Sequence, residues 1–229
     1  MSGLKYGAYL GVFSRLTPEL LERSKEEGFD FVEISVGDHA NFDINEIKAA
    51  AKSLGLFILI STGCPVDKDP IGETEEVRKR GVEYLKNLIR IASELGAYSI
   101  NGYTYSGNWH NKPKSLDFRQ YWEWGVTNLR EACRYAFDFG VGINVEAINR
   151  YETFLLTTLD RAVDFVKQVD MPNIKVHIDT FHMMTEETDF YNTILRTLPY
   201  ASHFHLAEST RGYSRQRISA MGGCIQSLT

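Results

Sequence analysis

Cysteine is scarce in this sequence, whose 229 residues include only Cys64, Cys133 and Cys224. The three are scattered, form no CxxC pair and are odd in number, which argues against a disulfide-stabilised secreted domain. Long hydrophobic runs are also lacking, and the short apolar run near the amino terminus does not match a secretory leader. We therefore expect a cytoplasmic protein with reduced thiols that does not associate with a membrane.

An excess of basic residues is lacking too. The formal net charge is −5, so no overall positive field would attract a nucleic-acid backbone, and we expect no nucleic-acid partner. Apolar residues make up 43% of the chain and charged residues 24%, which is typical of a globular protein. The length suits one large domain with a substantial core, and no linker or change of composition divides the chain.

A helix–glycine–strand pattern recurs along the chain: an amphipathic helix ends at a glycine, and an apolar strand follows directly. Gly28, Gly55, Gly96 and Gly140 occupy that position, where a left-handed residue caps a helix. Proline is infrequent, with six residues, and two of them precede two further apolar strands. The pattern predicts seven strands, at residues 6–10, 29–34, 56–61, 97–102, 141–146, 174–179 and 201–206.

Apolar strands that alternate with helices are typical of a parallel sheet buried on both faces. We therefore predict an α/β fold, a (β/α)₈ TIM-barrel-like domain that is incomplete because it has seven strands instead of eight. The barrel domain is expected to cover residues 1–212. Residues 213–229 have little strand pattern and are expected to form a divergent carboxyl-terminal tail.

Three side chains with metal-binding chemistry follow three predicted strands at equivalent places: Glu146, Asp179 and His205. The carboxyl ends of parallel strands meet at one edge of a sheet, where catalytic groups of such barrels project. Two carboxylates and one imidazole suit a borderline-to-hard divalent cation such as Mn²⁺, Co²⁺ or Mg²⁺. A single acid at a strand end is more often a helix cap or a loop hydrogen-bonding group, so the coincidence of three favours a metal site.

Three neighbouring polar residues allow other interpretations. His177 and His203 share a face with Asp179 and His205, one layer deeper, because alternate residues of a strand point the same way. We expect them to be interior histidines with satisfied hydrogen bonds. Glu33 lies near the end of another strand, where it could equally bind a ligand or cap the next loop.

Three motifs together resemble a known family. They are Val-Glu-Ala-Ile-Asn-Arg-Tyr-Glu at 145–152, Asp-Thr-Phe-His-Met at 179–183 and His-Phe-His at 203–205. These are similar to motifs of the D-tagatose/D-psicose (allulose) 3-epimerases, which are xylose isomerase-like TIM barrels. The resemblance extends from the amino terminus to about Gly212. It implies epimerisation at C3 of a ketose through an enediolate, and a homodimer or homotetramer.

The resemblance also implies roles for individual residues. A divalent metal, Mn²⁺ or Co²⁺ and alternatively Mg²⁺, is expected on Glu146, Asp179 and His205, with Glu146 as a proton-transfer group. The substrate oxygens are expected to contact Glu152, His182 and Arg211. Each of these also has a plainer interpretation, as a helix cap, as a partner of a ligand and as a solvated loop cation, respectively. The residues expected to line the pocket are Tyr9 and Trp109.

The resemblance ends where the family has a strand-eight glutamate, its fourth metal ligand and second acid–base group. No acid follows Gly212 in this sequence, so we expect a truncated member with weak or absent epimerase activity. Alternatives are a related ketose or hydroxypyruvate isomerase, or a non-catalytic sugar- or metal-binding remnant. A three-zinc endonuclease that cuts abasic DNA is disfavoured, because the chain lacks a basic face and further strand-end ligands.

Overall fold

The computed structural model describes residues 4–11, 16–107 and 113–207. Strands and helices alternate along these ranges. The strands are β1 (Gly7–Tyr9), β2 (Phe31–Ser35), β3 (Phe57–Cys64), β4 (Ser99–Gly107), β5 (Gly142–Glu146), β6 (Ile174–Asp179) and β7 (Ala201–His205). The helices are α1 (Pro18–Glu26), α2 (Ile44–Leu54), α3 (Glu75–Leu95), α4 (Arg119–Asp138), α5 (Leu159–Val169), α6 (Thr180–Glu186) and α7 (Phe190–Thr197), with a 3₁₀ turn at Leu198–Tyr200.

The seven strands form one parallel sheet in the order β1 to β7, which confirms the predicted class, an incomplete (β/α)₈ barrel. Within the described ranges, β1 and β7 are the outer strands. The sheet curls on itself, because Glu33 of β2 hydrogen-bonds to His203 and His205 of β7 although four strands lie between them. The two halves of the sheet therefore face each other across an interior.

Strands β3 and β4 extend further than predicted, to residues 64 and 107 instead of 61 and 102. None of their added residues is aliphatic, so the aliphatic pattern stops before the strands do. Some of the added side chains are nevertheless buried under the helix layer. Thr62, for example, is buried and its hydroxyl lies 3.0 Å from the hydroxyl of Tyr84 on α3.

The predicted glycine caps set where two strands begin. Gly55 and Gly96 have φ angles of 63° and 79°, in the left-handed region. The following residues turn back, and the Leu56 and Ala97 N–H groups donate to carbonyls of the last helical turn at 3.0 and 2.8 Å. The chain thus leaves each helix already directed into the sheet.

Apolar helix faces cover the outside of the sheet. On α3, Leu85, Leu88 and Ile89 are fully buried, and on α5 Phe165 packs with its ring 6.0 Å from that of Tyr105 on β4. Across the described ranges, none of the helices combines the length and the apolar character needed to traverse a bilayer.

Close packing of β3 on β4 gives a test of this arrangement. Gly102 has φ +114°, and a Cβ atom there would lie 2.1 Å from the Thr62 carbonyl oxygen. We expect Gly102→Ala to lower the free energy of unfolding by about 3 kcal/mol or more, since backbone must move. In the control Gly140→Ala, φ is +68° but the space is open, and a loss of about 1 kcal/mol is expected. Urea denaturation measures both, and equal losses would contradict the packing.

Candidate functional site

Strand register brings the polar residues together. Between β6 and β7, Asp179 pairs with His205 and His177 with His203, after a register shift between Val176 and His177. Between β5 and β6, Glu146 pairs with His177. The expected two layers are therefore present, with Asp179 and His205 nearer the carboxyl edge than His177 and His203.

The three predicted metal ligands fall into two adjoining clusters. Glu146 and Asp179 form one with His182, and their ligand atoms all lie within 4.8 Å of one another. His205 forms the other with His177 and His203, within the same limit. The clusters meet where Asp179 Oδ2 lies 3.6 Å from His205 Nδ1. A divalent cation bound between them would have the two carboxylates and His182 on one side and imidazoles alone on the other.

Glu33 holds the imidazole side of the site in place. Its Oε2 accepts hydrogen bonds from His203 Nε2 at 2.8 Å and from His205 Nε2 at 2.9 Å, and its Oε1 accepts from Asn101 Nδ2 at 3.0 Å. Both carboxylate oxygens are thus taken up by interior side chains, and the interpretation of Glu33 as a cap of the next loop is wrong. Burial acts to raise the Glu33 pKa, but the two histidines outweigh it and hold the pKa well below its ordinary value.

A polar network continues beneath Glu33. Asn101 Oδ1 accepts from Asn144 Nδ2 at 2.7 Å and from the Ser99 hydroxyl at 3.1 Å. Asn144 Oδ1 in turn accepts from the Ser202 hydroxyl at 2.7 Å. The network joins β2, β4, β5 and β7 through the interior, which explains why these buried polar groups are tolerated.

The two ring nitrogens of His205 face different carboxylates. Since Nε2 donates to the Glu33 carboxylate, Nδ1 is the nitrogen that faces Asp179. A carboxylate behind one nitrogen of a histidine is the usual companion of a metal ligand at the other. Burial acts to lower the His205 pKa, but the nearby Asp179 carboxylate and the hydrogen bond to Glu33 raise it to about 10.

The two acids of the site are unequal. Burial and the adjacent Asp179 charge raise the Glu146 pKa well above its ordinary value. Burial also acts to raise the Asp179 pKa, but the neighbouring imidazoles, chiefly that of His205, bring it below normal. Two carboxylates held this closely in the interior are poorly compatible as anions without a cation between them.

His177 departs from the expected satisfied histidine, whereas His203 fulfils that expectation through Glu33. The His177 ring is fully buried, and neither nitrogen has a hydrogen-bond partner in the described ranges. Its Nδ1 lies 3.7 Å from Glu146 Oε2, and its ring centroid lies 4.1 Å from that of His205. Burial, aided by the neighbouring imidazoles, lowers the His177 pKa well below normal. Such an unpaired buried donor calls for a further polar partner at the site.

These observations fit a divalent cation. Glu146 and Asp179 supply oxygen atoms, His205 supplies an oriented nitrogen, and a cation would relieve the repulsion between the acids. Mixed carboxylate and imidazole donors suit Mn²⁺, Co²⁺ or Mg²⁺ better than soft metals, which prefer thiolate.

The residues expected to contact substrate are in part assembled beside these acids. His182 Nε2 lies 3.5 Å from Glu146 Oε1, and Glu152, which is half-buried, accepts from Asn149 Nδ2 at 3.1 Å. The half-exposed Tyr9 ring lies 5.7 Å from that of His205. Trp109 and Arg211 lie outside the described residues.

Tyr103 of β4 is a neighbour that sequence reasoning missed. Burial and the nearby charges of Glu146 and Glu152 raise its pKa to about 12, so it remains a neutral phenol near both acids. The sequence offered only the weak signal of aromatic residues in a polar strand end.

A parallel barrel with buried acids and imidazoles at the carboxyl edge of its strands defines a TIM-type barrel with a candidate metal centre. The chain belongs to the xylose isomerase-like TIM barrel family, whose family model matches residues 21–224.

Its relatives in sequence and structure include named epimerases. It is 32% identical over 198 residues to a ketose 3-epimerase of Arthrobacter globiformis, covering 84% of this chain and 66% of that relative. It also resembles the structure of an L-ribulose 3-epimerase, with TM-score 0.88, 29% identity and coverage of 99% of this chain and 78% of the other. The D-psicose 3-epimerase from Clostridium cellulolyticum H10, solved with D-tagatose, gives TM-score 0.86 and 29% identity over 98% of this chain and 81% of the other.

The chain spans 64% to 66% of the length of three such sequence relatives.

The Glu33 network can be tested by removing its charge. In Glu33→Gln one oxygen becomes an amide donor, which must face either the Asn101 amide or the two imidazoles, so buried donors lose their acceptor. We expect the free energy of unfolding to fall by about 3 kcal/mol. The control Glu131→Gln changes an exposed acid paired with Lys86 and should cost less than about 1 kcal/mol. Chemical denaturation of both variants measures these changes. A Glu33→Gln variant as stable as the wild type would show that the network is dispensable.

Proposed function

We propose that this chain is a metal-dependent sugar epimerase that acts at C3 of a ketose of the D-tagatose, D-psicose or D-fructose type. The observation that carries the proposal is the buried Glu146–Asp179 pair beside an oriented His205. The ketose and L-ribulose 3-epimerases among its relatives support the reaction, and the D-tagatose bound to one structural neighbour supports the substrate class.

The proposed metal ligands are Glu146, Asp179 and His205. His205 is preferred over His182 because its Nε2 is held by Glu33 while its Nδ1 faces Asp179. The Asp179 side chain is itself anchored, since Oδ1 accepts from the Phe181 N–H at 2.7 Å. Such anchoring reduces the freedom that each ligand would lose on binding.

The reaction requires removal of a weakly acidic proton next to a carbonyl group. A divalent cation at this site supplies charge stabilisation to the carbonyl oxygen as the proton leaves. Glu146 takes the C3 proton, the role of a general base for which a carboxylate beside the bound ketose is suited. The sugar would pass through an enediolate, and a proton returned by Glu146 would regenerate the starting ketose. Epimerisation needs a second acid on the opposite face, the role that the resemblance gives to a strand-eight glutamate, so the epimerase activity is proposed to be impaired.

The proposed sugar contacts are Glu152 and His182, with Arg211 as a further oxygen-binding group. Tyr9 and Trp109 are proposed to line the pocket. The placement of Tyr9 next to His205 and of Glu152 and His182 around Asn149 supports this assignment. Mn²⁺ or Co²⁺ is the proposed metal, with Mg²⁺ as an alternative.

Two further expectations stay predictions. A homodimer or homotetramer is proposed by resemblance to the family. A reducing, cytoplasmic location is proposed because Cys64 and Cys133 are free and buried.

Metal binding can be tested without a sugar. We expect Mn²⁺ to bind the wild type and Asp179→Asn to weaken binding roughly 100-fold or more, since loss of an outer neighbour of a ligand alone costs roughly 10- to 100-fold. The asparagine can keep the hydrogen bond to Phe181, so the fold should persist. Asp160→Asn, at an exposed acid paired with Arg196, is the control and should bind normally. Isothermal titration calorimetry reports the affinities, and equal affinity in the two variants would refute the ligand assignment.

Proton transfer at C3 can be tested separately from complete epimerisation. In D₂O with Mn²⁺, we expect deuterium to enter C3 of D-tagatose, D-psicose or D-fructose, as followed by mass spectrometry. Glu146→Gln should slow the exchange at least ~100-fold, because it removes the base. Glu131→Gln should exchange like the wild type.

The same experiment separates the alternatives. Exchange at C1, or turnover of hydroxypyruvate, would favour a related isomerase. Sugar binding without exchange would indicate a non-catalytic remnant, and cleavage of abasic DNA would point to the endonuclease.

A further inference from the structure

We propose that Asn149 is a positioning residue that holds His182 as the tautomer with its proton on Nε2, so that His182 donates a hydrogen bond to a substrate oxygen. The proposal rests on the proposed function for its substrate, but the proton position can be measured without any sugar.

The orientation of the Asn149 side-chain amide is fixed from two sides. Oδ1 accepts from the Tyr151 N–H at 3.0 Å, and Nδ2 donates to Glu152 Oε1 at 3.1 Å. The reversed amide would set its oxygen against a carboxylate and its NH₂ against an N–H group. Asn149 is only 4% exposed, so water cannot readily compensate for that mismatch.

The same NH₂ group also faces His182. Asn149 Nδ2 lies 2.7 Å from His182 Nδ1, and the backbone N–H of Asn149 points to the same nitrogen at 3.3 Å. Two donors from one residue therefore converge on Nδ1. A protonated Nδ1 would oppose both, so Nδ1 is the acceptor and the proton of the neutral ring lies on Nε2.

The consequence lies at the opposite side of the ring. Nε2 is 3.5 Å from Glu146 Oε1, so the N–H is directed towards the acids where the sugar is proposed to bind. A ring held in this way offers a donor to a carbonyl or hydroxyl oxygen. The same Asn149 amide also donates to Glu152. Asn149 therefore positions two groups for one substrate: His182 as a hydrogen-bond donor and Glu152 as an acceptor.

The substitution that reverses this hydrogen bond with the least change of shape is Asn149→Asp, in which a carboxylate oxygen replaces the NH₂ group. That oxygen accepts from Nδ1–H and repels Glu152, so the tautomer should switch to Nδ1–H. Asn149→Ala removes the side chain but keeps the backbone N–H, and the wild-type tautomer should persist. Asn45→Asp, at an exposed site in the first turn of α2, is the control for the same chemical change.

The measurement is ¹⁵N NMR of the His182 ring with excess Mg²⁺, a diamagnetic divalent cation, and without sugar, assigned with His182→Gln. We expect a protonated Nε2 and a bare Nδ1 in the wild type, in Asn149→Ala and in Asn45→Asp, and the reverse in Asn149→Asp. A wild-type ring protonated on Nδ1, or on both nitrogens, would overturn the proposal, as would an unchanged tautomer in Asn149→Asp.

Kinetics provides the second readout. If the chain exchanges the C3 proton, Asn149→Asp should lower kcat/KM at least roughly 30-fold, because it moves the His182 proton from Nε2 to Nδ1 and so removes the donor to the substrate. Asn149→Ala keeps the proton on Nε2 and should lower kcat/KM roughly tenfold or less. Equal losses would also count against the proposal. Absence of exchange in the wild type would defeat the proposed function and leave the tautomer result standing on its own.

Discussion

One buried carboxylate fixes the interior of this barrel. Glu33 is 2% exposed and accepts hydrogen bonds from two histidines of β7 and an asparagine of β4. An ionised carboxylate is an acceptor at both oxygens, so it can satisfy three donors that no amide of the same shape could. Without it, three interior polar groups, two of them buried, would lose their partner at once. The contact between β2 and β7 that accompanies the curl of the sheet would also lose its polar component.

The Glu33 carboxylate also determines the orientation of the polar side chains at the carboxyl edge of the sheet. It occupies one nitrogen of His205 and leaves the other to face Asp179, so the direction from which His205 would bind the proposed metal follows from a structural hydrogen bond. Glu146 lies beyond Asp179 with a raised pKa, chiefly because it is buried. The interior therefore has two regions of different charge. Glu33 is an anion surrounded by imidazoles, whereas Glu146 and Asp179 form an acid pair that a cation would stabilise.

Much of this arrangement follows from the sequence, for a simple reason. Helix-terminating glycines and apolar strands specify a parallel sheet, and a parallel sheet brings the strand ends that carry Asp179 and His205 to one edge. The partners of Glu33 and the unsatisfied ring of His177 were not predictable, because they depend on the curl of the sheet and on a register shift in β6–β7. The expected satisfied state of His177 was wrong for that reason, whereas His203 found its acceptor on a strand remote in sequence.

Helix α6 connects the residues proposed to bind the sugar to the residues proposed to bind the metal. This helix begins directly after Asp179, whose side chain accepts from the Phe181 N–H, and it carries His182 on its first turn. At its other end, Glu186 forms a two-pronged ion pair with Arg150, and Glu187 accepts from the N–H of Leu159 at 2.8 Å. Both ends of the loop at 147–158, which carries Asn149 and Glu152, are thus held by the helix that extends from a proposed metal ligand. A displacement of Asp179 would therefore be passed to the residues proposed to hold the sugar, which makes the two halves of the site a single mechanical unit.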